Sequence, residues 1–137
     1  EELKLGKAEI IKEGSDISII AIGKTVARAK KIADMLEKED INAEVINARF
    51  LKPLDEETIK TSIEKTKRVI TIEDGTTING LGTAVKELII KEKLEEVDIQ
   101  TFAYPDEFIK HGTVEELEKI YHQDVKSIIN KISQKKG

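Results

Sequence analysis

The sequence predicts an α/β fold in which a mostly parallel sheet lies between two layers of helices. Short apolar runs typical of strands alternate with longer amphipathic segments typical of helices. Several strand segments are apolar nearly throughout, as expected of strands that are covered on both faces. No linker or low-complexity tract interrupts the alternation. These observations predict one doubly wound domain over residues 1–137.

The first half of the chain sets up the strand–helix unit. The segment Gly6–Lys12 alternates loosely between apolar and polar residues, and a turn separates it from the apolar run Ile17–Ile22. The two strands either form a hairpin, or the first lies elsewhere at the sheet edge. Gly23 ends the second strand. A helix is predicted at residues 25–39, because its apolar residues recur at helical spacing.

The later elements repeat this unit. The helix that starts at Asp55 has acidic residues in its first turn, where the helix dipole favours them. Two separate helices are predicted at the C-terminal end of the chain. The predicted elements after the first helix are strand 43–48, helix 55–65, strand 68–73, helix 81–93, strand 98–103, helix 113–121 and helix 124–133.

Composition limits the classes of function. The chain is 36% charged with a net charge of −4, a mixed surface that lacks the clustered basic face of a nucleic-acid binder. It contains no cysteine, which excludes disulfides and thiolate chemistry and suits a reducing cytoplasm. No apolar run approaches the ~20 residues of a membrane span. The first residue is Glu and not Met, so we expect a fragment of a longer chain.

Four side chains near strand and loop ends are candidates for contacting an anion or another domain: Arg49, Glu73, Asp74 and His111. Arg49 follows a strand and suits a phosphate, a partner carboxylate or a subunit interface. It could equally pair with Asp55 or Glu73. The carboxylates at 73 and 74 are too few for a hard-cation site. His111 has no nucleophile or acid beside it, so we predict no catalytic, cofactor-binding or metal-binding residue.

Two glycine-containing loops have a structural and a functional interpretation. If the strands at 17–22 and 68–73 are adjacent, the loops that follow them meet at a topological switch point, where ligands bind. The structural interpretation is favoured for both loops. Gly23 then permits a tight turn and Thr25 caps a helix, whereas Gly80-Leu81-Gly82 allows a close approach of the backbone.

Several motifs occur together in a family order. They are Gly6-Lys7-Ala8-Glu9, Ala21-Ile22-Gly23, the segment from Asn47 to Asp55, Glu73-Asp74-Gly75, Gly80-Leu81-Gly82, and Pro105-Asp106 leading to His111-Gly112. On these motifs the chain resembles the C-terminal domain of the 1-deoxy-D-xylulose-5-phosphate synthases, which belong to the transketolase-like, thiamine-diphosphate-dependent family. The resemblance implies a five-stranded sheet with four parallel strands and one antiparallel edge strand.

The resemblance also implies a function for the parent enzyme. Such an enzyme condenses pyruvate with glyceraldehyde 3-phosphate and releases CO₂, using thiamine diphosphate and Mg²⁺. Its cofactor motif, Gly-Asp-Gly, is absent from this chain. The expected role is therefore structural and dimer-supporting, with the preceding domains and a second subunit as partners, and the isolated chain is not expected to be catalytic.

Other interpretations remain open from the sequence. Some of the motifs also occur in transketolases and in pyruvate dehydrogenase beta subunits. A stand-alone module that binds an anion or a nucleotide at the switch point, and a purely structural dimerisation domain, are the alternatives from other classes.

Overall fold

Nine strands and helices make up the part of the chain that the computed structural model describes, residues 6–74, 80–104 and 113–136. In chain order they are β1 (Glu9–Lys12), β2 (Ile17–Ala21), α1 (Val26–Glu37), β3 (Ala43–Asn47), α2 (Glu56–Thr66), β4 (Arg68–Asp74), α3 (Leu81–Lys91), β5 (Asp98–Tyr104) and α4 (Val114–Lys136). A 3₁₀ turn at Gly23–Thr25 precedes α1.

The five strands form one sheet in the order β1-β3-β2-β4-β5. Strands β3, β2, β4 and β5 are parallel, and β1 pairs with β3 in the antiparallel direction at the edge. Glu9 lies opposite Asn47 in that pair, and the register shifts between Ile10 and Lys12. The antiparallel edge strand implied by the family resemblance is thus confirmed. The hairpin between the first two strands does not form.

Helices cover both faces of the sheet. α1 and α4 pack on one face and α2 and α3 pack on the other, so the predicted three-layer architecture is confirmed. Strand β2 supplies both cores, because Ile19 faces α1 while Ile20 faces α2. Both side chains are 0% exposed, which explains why this strand is apolar at nearly every position.

The C-terminal end of the chain differs from its prediction. Residues 114–136 form one continuous helix and not two, so the predicted division between residues 121 and 124 is wrong. Tyr121, Val125 and Ile128 follow one another at helical spacing and pack on the same core. The two intervening residues, His122 and Gln123, are exposed, and neither is a Pro or a Gly that would end the helix.

None of the helices in residues 6–74, 80–104 and 113–136 combines the length and the apolar character needed to cross a lipid bilayer.

Candidate site at the carboxyl edge of the sheet

The sheet contains one reversal of strand order, between β2 and β4. These strands are parallel neighbours, and the chain leaves β2 for α1 on one face but leaves β4 for α3 on the other. The predicted topological switch point is therefore present, and the carboxyl ends of the two strands are the place where such folds bind ligands. In this domain the switch point is formed by the Gly23–Thr25 turn, Glu73 and the start of α3.

Thr25 fastens the loop after β2 to the end of β4. Its side chain is 1% exposed, and its Oγ1 accepts a hydrogen bond from the Ile22 N–H at 3.2 Å. The same hydroxyl lies 2.7 Å from the Ile22 carbonyl oxygen and 2.9 Å from that of Ile72, so its single proton is shared between them. Thr25 stands at the N-cap position of α1, but its side chain caps no N–H of that helix. Thr25 therefore does not cap α1 as predicted but links the end of β2 to β4 through hydrogen bonds.

Gly23 has the left-handed backbone that its tight turn requires, with φ at +62°. Space around it is open, since a Cβ atom placed there would meet no heavy atom within 4 Å. The reason for a glycine at this position is therefore conformational.

Glu73 occupies the anion position at the start of α3. The residue is only 7% exposed, and both oxygens of its carboxylate accept hydrogen bonds. Oε1 accepts the N–H of Leu81 at 3.0 Å and Oε2 accepts the N–H of Gly82 at 2.9 Å. The first amides and the positive dipole of α3, which would otherwise attract a phosphate, are therefore neutralised by a side chain of the domain itself.

Gly82 allows α3 to lie directly on the sheet. A Cβ atom at this position would approach Thr101 Cγ2 to 2.9 Å, Glu73 Oε2 to 3.2 Å and Thr71 Oγ1 to 3.3 Å. The predicted close backbone approach is thus confirmed for this glycine. The Thr71 hydroxyl is fully buried here and has no hydrogen-bond partner among the described residues.

Arg49 does not join the switch point. Its backbone is left-handed, with φ at +59°, and its N–H donates to Asn47 Oδ1 at 3.0 Å. Its guanidinium forms an ion pair with Glu9 of the edge strand, with Nη2 3.0 Å from Oε1. Arg49 forms no ion pair with Asp55 or Glu73, the two acidic partners considered from the sequence. Arg49 follows β3 and Glu73 lies near the end of β4, and these strands are two positions apart in the sheet, roughly 10 Å.

Asp55 is held as a carboxylate by its neighbours. Its oxygens accept the N–H of Ala8 at 2.9 Å, the N–H of Thr58 at 3.2 Å and the hydroxyl of Thr58 at 2.7 Å. Burial alone would raise its pKa, but these hydrogen bonds outweigh burial and bring the pKa of Asp55 below its ordinary value. The side chain caps α2, which begins at Glu56, one residue later than predicted, and it also binds the backbone just before β1.

Two predicted site residues are not placed by the structure. His111 lies outside the described residues, and for Asp74 only the backbone, at the end of β4, is described. Among the side chains that are described, no group of three or more His, Asp and Glu residues is arranged to hold a metal ion. Of the four candidates, Glu73 alone is thereby placed at the switch point.

A buried carboxylate at the opposite end of the sheet was missed by the sequence reasoning. Glu44 of β3 is 2% exposed, accepts the N–H of Gly14 at 3.3 Å and forms a short ion pair with Lys65 of α2. Burial raises its pKa, but the hydrogen bonds from Lys65, Ser62 and Gly14 together bring the pKa of Glu44 below its ordinary value of 4.5. An acidic residue inside an apolar strand was the available signal.

A surface groove lies on the face of the domain that is covered by α2 and α3. We call it the α3 groove, and it has a volume of about 530 Å³. Among the described residues, its lining includes the loop Leu51–Leu54, Glu56 at the start of α2, and Ala84, Glu87, Leu88 and Lys91 of α3. Lys91 pairs with Glu56 across one end. This groove could not be predicted from the sequence, because it forms only where two segments distant in the chain lie side by side.

Comparison with known proteins identifies the fold. The family described as transketolase, C-terminal domain, matches residues 6–128. The chain belongs to the transketolase C-terminal domain family. A solved structure titled as a split-gene transketolase, an inactive beta4 tetramer, superimposes on 92% of the chain with a TM-score of 0.72 and 30% sequence identity. The chain covers 43% of that protein.

The most similar relatives of this transketolase C-terminal domain include two bacterial proteins named 1-deoxy-D-xylulose-5-phosphate synthase. The one from Desulforudis audaxviator is 42% identical over 127 residues and the one from Halothermothrix orenii is 39% identical over 127 residues. In both cases the match covers 93% of this chain but only 20% of the relative. The chain thus spans about one fifth of the length of these relatives, and the resemblance found in its motifs is confirmed.

Proposed function

We propose that the chain is the C-terminal domain of a 1-deoxy-D-xylulose-5-phosphate synthase and that it supports this enzyme without taking part in its chemistry. The observation that carries the proposal is the similarity to synthases over 93% of the chain, together with the small share of those enzymes that it represents. The parent would condense pyruvate with glyceraldehyde 3-phosphate and release CO₂. A cytoplasmic location and a homodimer belong to the same proposal.

The polar groups that the structure describes at the switch point do not fit thiamine diphosphate and Mg²⁺. Glu73 already supplies the anion at the start of α3, and both of its oxygens accept backbone N–H groups. A diphosphate would have to displace this carboxylate and would meet its negative charge. We therefore assign the cofactor to the preceding domains of the parent and derive no chemical step for the residues of this chain.

The same observation argues against a stand-alone anion-binding or nucleotide-binding module at α3. A helix start that binds phosphate needs its N–H groups free. In this domain the N–H groups of Leu81 and Gly82 are both used by Glu73.

The test compares residues 1–137 with the longer product of its reading frame. With thiamine diphosphate and Mg²⁺ supplied, the longer chain should release CO₂ from pyruvate only when glyceraldehyde 3-phosphate is present. Residues 1–137 should give no turnover and no calorimetric heat with thiamine diphosphate. Turnover by residues 1–137 alone would refute the proposal. A longer chain that used sugar phosphates without pyruvate would favour the transketolase alternative.

A further inference from the structure

We infer that the α3 groove is the surface on which the polypeptide that precedes this domain in the full-length parent packs. The inference rests on the proposed function, because it requires a longer chain. It goes further by identifying the face of the domain that makes the contact and the chemistry of the segment that covers it.

The path of the chain brings that polypeptide to the groove. Gly6 lies against Pro53 in the loop that forms one wall, so closely that a Cβ atom on Gly6 would be 3.0 Å from Pro53 Cγ. Two residues later, the Ala8 N–H donates to Asp55 Oδ2 at 2.9 Å. The chain therefore enters the domain alongside the groove and is fixed there at two points.

Most of the full-length parent lies outside this domain. The domain represents 20% of the synthases that it matches, and its family is named for a C-terminal position, so about four fifths of a relative's length lies mostly ahead of it. Because the chain reaches the domain next to Pro53, the surface around the loop Leu51–Leu54 is the part of the domain nearest to the preceding polypeptide.

The groove has the character of an incomplete interface. Leu51, Leu54 and Ala84 are half-buried and give it an apolar centre. Ile90, which does not line the groove, is 75% exposed on α3. An apolar centre with a charged rim is the usual composition of a surface between domains.

The charges at the rim specify the covering segment. Lys52 and Glu87 are exposed and form no ion pair with any other described residue. Lys91 and Glu56, in contrast, neutralise each other across one end. The geometry fits a segment that inserts apolar side chains over Leu51 and Ala84, with an acidic group near Lys52 and a basic group near Glu87.

A second groove on the other side of the sheet provides the internal control. It has a volume of about 430 Å³ and lies between α1 and α4, where Met35, Val125 and Ile129 are flanked by exposed Lys and Glu side chains. It belongs to the face opposite α2 and α3, away from the entry of the chain. The inference therefore predicts contact at one groove and not at the other.

Hydrogen exchange tests the inference by comparing the longer chain with residues 1–137. Amides of the loop Leu51–Leu54 and of the α3 segment Ala84–Lys91 should exchange about tenfold more slowly in the longer chain, the change that 1.4 kcal/mol of docking free energy produces. Amides around Met35 and Val125 should exchange equally in both. Equal exchange at the α3 groove in the two chains would overturn the inference.

Matched substitutions separate docking from folding. Ala84→Arg places a charged side chain in the groove, whereas Ala27→Arg makes the same change at an exposed position of α1. In residues 1–137 both variants should keep the wild-type Tm. In the longer chain Ala84→Arg should abolish the extra protection and Ala27→Arg should retain it. If Ala84→Arg lowers the Tm of residues 1–137, Glu87→Lys at an exposed position replaces it.

The outcomes also distinguish this inference from the proposed function. A longer chain that has synthase activity but no protection at the groove would refute the inference alone. Protection at the groove in a longer chain that lacks synthase activity would refute the proposed function and leave the docking surface in place.

Discussion

At the scale of single residues, Glu73 shows how a carboxylate in a ligand-binding position can serve the fold instead. Both of its oxygens are bonded to the first amides of α3, and the side chain is 7% exposed. By accepting hydrogen bonds from these N–H groups, the side chain fixes the start of the helix against the end of β4. The fold predicts a ligand site at this strand end, but the N–H groups at the start of α3 are already occupied by Glu73.

Removing this carboxylate should destabilise the domain. Glu73→Ala leaves the N–H groups of Leu81 and Gly82 buried without an acceptor, and we expect a loss of about 1–3 kcal/mol in the free energy of unfolding. Glu73→Gln keeps one acceptor oxygen and should lose less. Urea unfolding measures both variants, with Glu95→Ala at an exposed position as the control. A loss for Glu73→Ala no greater than that of the control would contradict the capping role.

Gly82 and Gly23 should respond to alanine for different reasons. At Gly82 the new Cβ would lie 2.9 Å from Thr101 Cγ2, so Gly82→Ala must shift α3 or the strand. At Gly23 there is open space but φ is +62°, so Gly23→Ala should cost about 1 kcal/mol through backbone strain alone.

A double mutant distinguishes the two causes. Thr101→Ser removes the methyl group that the Cβ meets, so it should recover part of the stability lost in Gly82→Ala and none of that lost in Gly23→Ala. The free energies of unfolding of the three single variants and of the two double variants measure this coupling. Additive losses in the Gly82→Ala, Thr101→Ser pair would rule out steric contact with Thr101 as the cause.

At the scale of elements, α2 is attached to the sheet by polar groups as well as by its apolar stripe. The Ser18 hydroxyl of β2 lies 2.6 Å from that of Ser62 and 2.8 Å from that of Thr66, all three buried. Beside them Glu44 binds Lys65 and the Gly14 N–H. Because these buried polar groups are hydrogen-bonded, they fix the position of the helix along the strands.

This attachment should be sensitive to acid. The pKa of Glu44 is lower in the folded chain than its ordinary value of 4.5, so the folded state favours the carboxylate. Its contribution to stability is complete above about pH 4.5 and is lost as the pH falls through the lower folded pKa. Glu44→Gln should therefore flatten the decline in the free energy of unfolding below that pH.

The control for this pH dependence is Glu39→Gln, at an exposed position. It should leave the slope of stability against pH unchanged. Asp55, whose pKa is also lowered, should maintain a smaller acid-dependent decline in the Glu44→Gln variant. A wild-type slope in Glu44→Gln would show that Glu44 is not linked to folding through its charge.

The elements were more predictable from the sequence than the contacts of the site. Periodicity located the strands and most of the helices because each pattern is local. It failed at α4, where the polar residues 122 and 123 were interpreted as a break although they are simply exposed. The partner of Arg49 could not be found, because Glu9 reaches it only through the antiparallel register of β1 with β3. The α3 groove likewise depends on how separate segments pack.

At the scale of the whole molecule, the two cores share the strands that separate them. Ile19 and Ile20 are consecutive residues of β2, yet they belong to opposite faces and are both fully buried. Displacing β2 would therefore open both cores together. This arrangement favours a single cooperative unit over two independently unfolding layers.

Core substitutions on opposite faces should reveal this cooperativity. Ile59→Ala on α2 and Ile128→Ala on α4 each remove a side chain that is at most 1% exposed, and each should lower the free energy of unfolding by about 2–5 kcal/mol. Because the faces share β2, either variant should shift the helical circular dichroism and the tyrosine fluorescence by the same amount of urea. Tyr121, one of the two tyrosines of the chain, contributes a signal from the face of α4. If Ile59→Ala moved the circular dichroism transition and left the fluorescence transition in place, the layers would unfold separately and the domain could not act as one rigid support.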